Sequence, residues 1–590
     1  MCGIIGFDWK DEELLKKARD KISYRGPDDK GDYFDSNISL GHRRLSIIDL
    51  DKRSKQPMEL MDRYVITYNG EIYNYKEIKK ELSEYDFKTT SDTEVIVYAY
   101  DKWGKGCLNM FNGMFAFCIY DKKKKELFLA RDRFGIKPLY YIDNGKFAFC
   151  SEIKGLLEFL DKKEVNEIGL KQFFNFRFTL GETTLVKGIK KFLPGHYVLY
   201  DLNGKKINEY KKYYELKKQE IENKNFDYYK NKLKELMDKS VERRMVADVP
   251  VACLLSGGVD SSIITKLAKK YNDKLNTFSI GFDTTNELPF AKKVAEYLNT
   301  NHHEFKIDKS NVLDYLDDVV YHMDEPIGDP GFLPIFVLSK EVSKHNKVVL
   351  SGDGGDEVFC GYDRYKMFYY GRFLRNFAFF DFNNDILKRL KKMKGKNDYG
   401  AFFETIRLFD DEELGKLGVE GYEFSDGWDA KFKDKLMNAQ YFDIQTLLPN
   451  DFFMKADKMS SAFGLEQRVP FLDHELVEFA FTIPLKYRLK LWNEKYVLRK
   501  AFEKDLPKEI VERKKHGFDV PIDYWFKNVL GEKLKGLLDE SDHGLYKKDY
   551  VYMLLDDIKK KGGNYKFNFI LAQKLWSILM FEMWYQELMK

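Results

Sequence analysis

A cysteine stands second in this chain, in Met1-Cys2-Gly3-Ile4-Ile5-Gly6. Removal of Met1 would leave its thiol beside its own α-amine. Such an amine ionises at about pH 7.7–8.0, so it is partly neutral at cytoplasmic pH and can take a thiol proton. Nucleophile and base would then share one residue. Several polar residues complement the thiol. Asn69 and Gly70 follow the run Tyr64-Val65-Ile66-Thr67-Tyr68, read as a strand ending at that pair. An Asn amide and a Gly N–H at a strand end can hold the oxyanion of a tetrahedral intermediate; the same pair is also a common hairpin turn. The guanidinium of Arg44 can clamp a carboxylate with two parallel bonds. Glu71 and Asp92 can hold an ammonium, although each alone also reads as a surface charge, and Ser91 or Asp92 as a helix N-cap. The set describes an amide-hydrolysing cysteine.

A second constellation lies further on, in Ser256-Gly257-Gly258-Val259-Asp260-Ser261-Ser262. Its glycines let backbone N–H groups approach an anion, and a following helix would favour negative charge at its start. Serine hydroxyls can donate to phosphate oxygens. Asp260 is a candidate Mg²⁺ ligand, since Mg²⁺ takes carboxylate and phosphate oxygens together. The G-K-[ST] of a Walker loop is absent. A further turn, Ser351-Gly352-Asp353-Gly354-Gly355-Asp356-Glu357, offers Asp356 as a second carboxylate for the same ion.

These sites need two kinds of scaffold. Residues 1–200 read as short strands with helical segments near 75–84 and 92–104, an α+β layered sandwich. Residues 201–226 are rich in Lys, Glu and Asn and read as a linker. From 227 to 540 strands alternate with helices. A helix carrying Leu233, Leu236, Met237 and Val241 precedes the strand Val249–Leu255, a helix from 260 to 271, and strands at Thr277–Phe282 and Lys347–Leu350. That alternation predicts an α/β domain with a doubly wound parallel sheet, its ligands at the carboxyl ends of the strands. Residues from about 365 look mostly helical, and 541–590 form an amphipathic helical extension packing on the second domain.

The 590 residues are too many for one core, and a hydrophobic content of 44% excludes disorder. Lys+Arg 99 against Asp+Glu 95 leaves +4, which argues against a nucleic-acid surface. Six scattered cysteines form no C-x-x-C pair, which speaks against zinc and disulfides. No leader or membrane-length apolar stretch is evident, and a cytoplasmic protein is expected.

Cys2-Gly3-Ile4-Ile5-Gly6, Arg25-Gly26-Pro27-Asp28, Arg44-Leu45-Ser46-Ile47, Asn69-Gly70-Glu71-Ile72-Tyr73-Asn74, Ser91-Asp92-Thr93-Glu94, Asn112-Gly113-Met114-Phe115-Ala116 and Arg131-Asp132-Arg133-Phe134-Gly135-Ile136-Lys137-Pro138-Leu139 occur in that order. Together they resemble the glutaminase domain of class II, N-terminal-nucleophile (Ntn) glutamine amidotransferases. The resemblance implies that Cys2 attacks the glutamine side-chain amide and that Asn69 and Gly70 hold the oxyanion. It places Arg44, Leu45, Ser46, Ile47, Ile48, Glu71 and Asp92 around the glutamine. Tyr24 departs from the usual His before Arg-Gly-Pro-Asp, at a position where no contact with glutamine is needed.

The S-G-G-x-D-S sequence resembles ATP pyrophosphatases. The full order, with Asp324-Glu325-Pro326, Arg468-Val469-Pro470-Phe471-Leu472-Asp473, Lys495-Tyr496-Val497-Leu498-Arg499 and Lys515-His516-Gly517-Phe518, is similar to glutamine-hydrolysing asparagine synthetases. The resemblance implies ATP near Leu254, Ser256, Gly257, Gly258, Asp260, Ser261, Ser262, Ile280, Ser351 and Gly352. It also implies Mg²⁺ on Asp260 and Asp356, with Asp353 and Lys495 catalytic. Glutamine, ATP and aspartate are the expected substrates, and a homodimer is expected from the family alone. Asp353 stands where several members have Glu, and Pro326–Phe332 lacks the Thr and Arg that hold aspartate in some of them. A uronic acid of a surface polysaccharide is therefore the alternative acceptor. A glutaminase or regulatory binding protein with an inactive second domain is the alternative of another class.

Overall fold

The computed structural model describes the chain except residues 219–223, 283–286, 375–391, 423–430, 491–492, 515–519, 561–564 and 590. The motif Lys515-His516-Gly517-Phe518 thus lies outside the described residues.

Two antiparallel six-stranded sheets build the first half. One runs in the order Lys190–Lys191, Tyr140–Asp143, Phe147–Cys150, Gly3–Phe7, Ile38–Arg44, Asp29–Asp35; the other runs Lys206–Lys212, His196–Asp201, Glu126–Arg131, Gly113–Asp121, Tyr64–Ile72, Met58–Leu60. Ile4, Leu40, Phe147 and Phe149 of the first sheet meet Val65, Ala116, Cys118 and Val198 of the second in one buried cluster. This is the expected α+β sandwich, with the helix Asp92–Trp103 started by its Ser91 cap, whose side chain accepts from the Thr93 N–H.

The linker expected at 201–226 is corrected in its first half. Lys206–Lys212 is an edge strand, paired antiparallel with His196–Asp201. Its lysines are the charges that keep a sheet edge from pairing further, so its composition imitates a connector.

The second half is built on a five-stranded parallel sheet, Asn301–Ile307, Asn276–Phe282, Val251–Leu254, Val348–Leu350, Glu466–Arg468. Covered on both faces, its central strands read as unbroken apolar runs. The helix Phe226–Arg244 buries Leu233, Leu236, Met237 and Val241 as its spacing predicts. Residues 541–590 do more than pack on the second domain. In the helix Tyr565–Trp584, positions 571, 572, 575, 576 and 578–581 are all buried and apolar, leaving Gln573, Lys574 and Ser577 as a narrow polar stripe. Phe581 meets Phe173 of the first half, while Trp584 donates to the Asp324 carbonyl.

The halves are joined by a buried polar cluster. Arg25 pairs with Glu152 (2.7 Å) and, across the boundary, with Asp457 (2.8 Å). Tyr24 donates to Glu152, and Lys458 pairs with Asp324, whose carboxylate accepts from the Ile153 and Lys154 N–H groups. Tyr24 therefore serves the domain boundary. Arg25→Ala removes the buried cation shared by Glu152 and Asp457 across the boundary and is expected to destabilise the protein by about 3–5 kcal/mol, read as a lowered denaturation midpoint.

Candidate active sites

Cys2 immediately precedes the strand Gly3–Phe7, whose Gly3 pairs with Arg43, so the thiol lies beside Leu45. The Leu45 N–H donates to Sγ (3.5 Å), and the thiol faces the Leu45 carbonyl at 3.8 Å. Burial pushes the thiol up, and the neighbouring α-amine acts against that. With Met1 present, the amine is that of Met1, itself pushed down to about 5 by burial.

Asn69 is wholly buried, and neither its Nδ2 nor its Oδ1 has a hydrogen-bond partner among the described residues. An orphaned buried amide costs about 1–3 kcal/mol and calls for an explanation. A developing oxyanion accounts for the Nδ2. The expected strand end is corrected here: the strand runs through Asn69 and Gly70 to Ile72, with Asn69 opposite Ala116 and Gly70 opposite Phe115. There is no hairpin turn. Gly70 is required inside the strand because its φ is 152° and a Cβ would overlap the Met114 carbonyl oxygen. Asn69→Ala should slow glutamine hydrolysis by about 10²–10³-fold, assayed as glutamate release, with ammonia-dependent synthesis as the control.

Arg44 is also placed differently from expectation. Its guanidinium donates to the backbone carbonyls of Asp51 (3.0 Å) and Asp49 instead of opening as a free fork. Those carbonyls belong to an irregular loop and lack ladder partners, so Arg44 braces the segment that wraps Cys2. Leu45, Ile47 and Ile48 are buried in the apolar core, and the Ser46 N–H donates to Asp28. Asp92 accepts from the Tyr68 hydroxyl (2.8 Å) and the Ile72 N–H (2.9 Å), and burial pushes it up to about 6. Glu71 keeps one buried oxygen without a partner, and burial together with Glu466 raises its pKa. A ligand ammonium would satisfy it.

The second site is a cavity of about 570 Å³ at the carboxyl ends of the parallel strands. Leu254, Ser256, Gly258, Asp260, Ser261, Ile280, Ser351, Gly352, Asp353, Asp356 and Lys495 line it. The helix Val259–Ala268 begins at Gly258 with no side-chain cap, leaving its first N–H groups to an anion. Two expected ATP residues face elsewhere. Ser262 donates back to the Gly258 carbonyl, one turn earlier in its own helix, and Gly257 (φ 71°) is pressed against the Phe290–Ala291 backbone.

Lys495 reaches between Asp260 and Asp356, pairing with both, the latter at 2.6 Å. Gly352 and Gly355 pack against Asp260, and a Cβ at Gly361 would overlap Asp356 and Lys495. Two facing carboxylates beside an anion loop suit Mg²⁺, which is held by one or two carboxylates plus substrate phosphates. Asp353 accepts from Ser351 (2.8 Å) and from Gln467.

The strand Glu466–Arg468 escaped the sequence reading, being too short for periodicity to register. Its alternating side chains divide between the two sites. Arg468 approaches Glu71 at 3.4 Å and pairs with Glu466, whose charge bears on Cys2, while Gln467 holds Asp353 and Ser351 from the other side. One short strand thus touches a residue expected at the glutamine site and residues expected at the nucleotide site.

Fold and sites together define an Ntn amidohydrolase joined to a nucleotide-dependent synthetase. Residues 1–214 match the glutamine amidotransferase domain model, and residues 232–586 match the asparagine synthase model. The chain is 34% identical over 625 aligned residues to asparagine synthetase (glutamine-hydrolyzing) 1 of Bacillus subtilis strain 168, covering 99% of this chain and 96% of the relative. Asparagine synthetase (glutamine-hydrolyzing) 3 of the same strain is 32% identical, covering 92% and 91%. A putative asparagine synthetase (glutamine-hydrolyzing) 2 of Methanocaldococcus jannaschii is 39% identical over 61% of this chain and 76% of its own length. The chain belongs to the asparagine synthase family.

Proposed function

We propose that this protein converts L-aspartate to L-asparagine with ATP, taking nitrogen from glutamine and releasing AMP, pyrophosphate and glutamate. The observation that carries this is the strand Glu466–Arg468, whose Arg468 approaches Glu71 near the cysteine while its Gln467 holds Asp353 at the nucleotide cavity. Relatives along nearly the whole chain named as glutamine-hydrolysing asparagine synthetases support aspartate as the acceptor.

In the first site, the α-amine exposed by loss of Met1 takes the Cys2 proton. The thiolate attacks the glutamine side-chain carbon, Asn69 and the Gly70 N–H hold the oxyanion, and ammonia leaves with the proton from the amine. Water then releases glutamate from the thioester. In the second site, the uncapped helix start at Gly258 and the hydroxyls of Ser256 and Ser261 hold the phosphates. The β-carboxylate of aspartate attacks the α-phosphorus and pyrophosphate leaves. Lys495 places positive charge where negative charge develops. Asp260 and Asp356 would hold Mg²⁺, which supplies further positive charge to the phosphates. Ammonia attacks the acyl carbon, AMP leaves and a proton is lost. Asp353, fixed by Ser351 and Gln467, is the proposed acceptor of that proton.

Six free cysteines support a reducing compartment, the cytoplasm, and among the described residues no helix is long and apolar enough to cross a membrane. A homodimer belongs to the same proposal on family grounds. The test is an end-point assay with glutamine, ATP and Mg²⁺, with and without aspartate. Aspartate-dependent asparagine, AMP and pyrophosphate are expected. Glutamate without asparagine would point to another acceptor, and a panel of uronic acids would follow.

A further inference from the structure

The residues that would attack glutamine and hold its oxyanion stand on different sheets. Cys2 precedes the strand Gly3–Phe7, while Asn69 and Gly70 lie within Tyr64–Ile72. Catalysis needs the two at a fixed separation, which neither strand sets alone. A link is made one residue before Asn69. The Tyr68 carbonyl accepts from Nε2 of His42 (3.0 Å). His42 lies in the strand Ile38–Arg44, opposite Ile4 and next to Arg43, the partner of Gly3. Thr67 adds a second bond between the sheets, its hydroxyl donating to the Gly41 carbonyl (3.2 Å).

Tyr68 is held at each of its polar groups. Its N–H donates to Oε1 of Gln56 (2.7 Å) and its hydroxyl to Asp92 (2.8 Å). Gln56 is fixed in turn, its Nε2 donating to the Thr93 hydroxyl (3.2 Å). These side chains stand in for a strand, because among the described residues Met58–Leu60 pairs only with Tyr64–Ile66. Backbone groups of alternate residues point to opposite edges of a strand. Tyr68 and Ile72 both turn their N–H groups to this edge, Ile72 donating to Asp92 (2.9 Å). Gly70, between them, turns its N–H the same way. Phe115, opposite Gly70, spends its own groups on Asp132: its N–H donates to the carboxylate (3.2 Å) and its carbonyl accepts the Asp132 N–H (2.8 Å). The oxyanion donor thus lies on the edge that His42 and Gln56 hold.

His42 is wholly buried, and burial pushes its pKa down to about 3, so the ring is neutral at pH 7. A carbonyl can only accept, so the single ring proton sits on Nε2. Nδ1 is buried without a hydrogen-bond partner among the described residues, which costs about 1–3 kcal/mol. An apolar ring of similar shape would avoid that cost, so packing alone does not account for a histidine here. Resting on the cysteine-site reading above, we propose that His42 is a positioning residue for glutamine hydrolysis, holding Tyr68 together with Gln56 so that Asn69 and the Gly70 N–H stay in register with Cys2. It touches no substrate atom. It keeps the oxyanion donors preorganised, and a displacement of about 1 Å in such a site costs about 10²-fold in rate.

The test compares His42→Phe, which fills the space without a donor, with His42→Gln, whose amide can still donate to the Tyr68 carbonyl. His42→Phe should lower kcat for glutamate release about 10–100-fold. The glutamine KM should stay within about threefold and ammonia-dependent synthesis within about twofold, because only an interaction of the transition state is lost. The γ-aldehyde analogue of glutamine adds the thiol to its carbonyl carbon and places its oxygen where the oxyanion forms. Its affinity should fall by a factor similar to that in kcat, while the affinity for the product glutamate holds. His42→Gln should recover most of both losses. Should His42→Phe fail to fold, Gln56→Leu, which removes the bond to the Tyr68 N–H, is read in the same way. Unchanged glutamate release, equal losses in His42→Phe and His42→Gln, or a loss shared by ammonia-dependent synthesis overturns the positioning role and leaves the cysteine-site reading standing. No glutamate from the unaltered enzyme overturns that reading, and this inference with it.

Discussion

Cys2→Ala should abolish asparagine formation from glutamine, by about 10⁴-fold or more, while formation from added ammonia continues. The reasoning is geometric. Cys2 lies beside Leu45 in the first domain, and among the described residues the thiol's hydrogen-bond partner is Leu45, which does not line the nucleotide cavity. The small alanine side chain also leaves the Leu45 N–H only a weak sulfur contact short. Glutamate release and asparagine formation, measured together, check this. Loss of ammonia-dependent synthesis in a folded Cys2→Ala protein would mean that the sites are not separable.

Lys495→Met should have the opposite selectivity. Removing the ammonium leaves Asp260 and Asp356 facing each other at the cavity without their shared cation. It also withdraws positive charge from the phosphorus and acyl centres. Adenylation should fall about 10²–10³-fold, the usual cost of a lost electrostatic stabiliser. Asparagine formation should fall with it from either nitrogen source, while Cys2, Asn69 and the glutamine pocket remain. Exchange of labelled pyrophosphate into ATP reads the adenylation step directly. Near-normal exchange in Lys495→Met would remove Lys495 from the chemistry.

Much of this was legible in the sequence because local rules and motifs agreed. The unbroken apolar run before Ser256-Gly257-Gly258 gave away a central parallel strand, and the spacing of Leu233, Leu236, Met237 and Val241 gave away a core-facing helix. Other features were hidden for physical reasons. Asn69-Gly70 looks like a turn, because nothing local tells that Met114 lies where a Cβ would go. Lys206–Lys212 reads as a linker because an edge strand has little to bury. Arg44 looks like a ligand clamp until its carbonyl partners are seen. The contacts of the strand Glu466–Arg468 with Glu71 on one side and Asp353 on the other are products of tertiary convergence, which no window of sequence contains.

Two separate sites on one chain make a specific demand on the nitrogen. Ammonia is mostly protonated in neutral water, so it must reach the acyl carbon without mixing with solvent. The most direct test supplies glutamine with a heavy-nitrogen amide, ATP, Mg²⁺ and aspartate, in the presence of excess unlabelled ammonium. The asparagine side-chain amide should carry the heavy nitrogen well beyond its share of the free ammonia pool. Asparagine labelled only in proportion to that pool would contradict direct transfer between the sites, and labelled ammonia without any asparagine would contradict the synthetase itself.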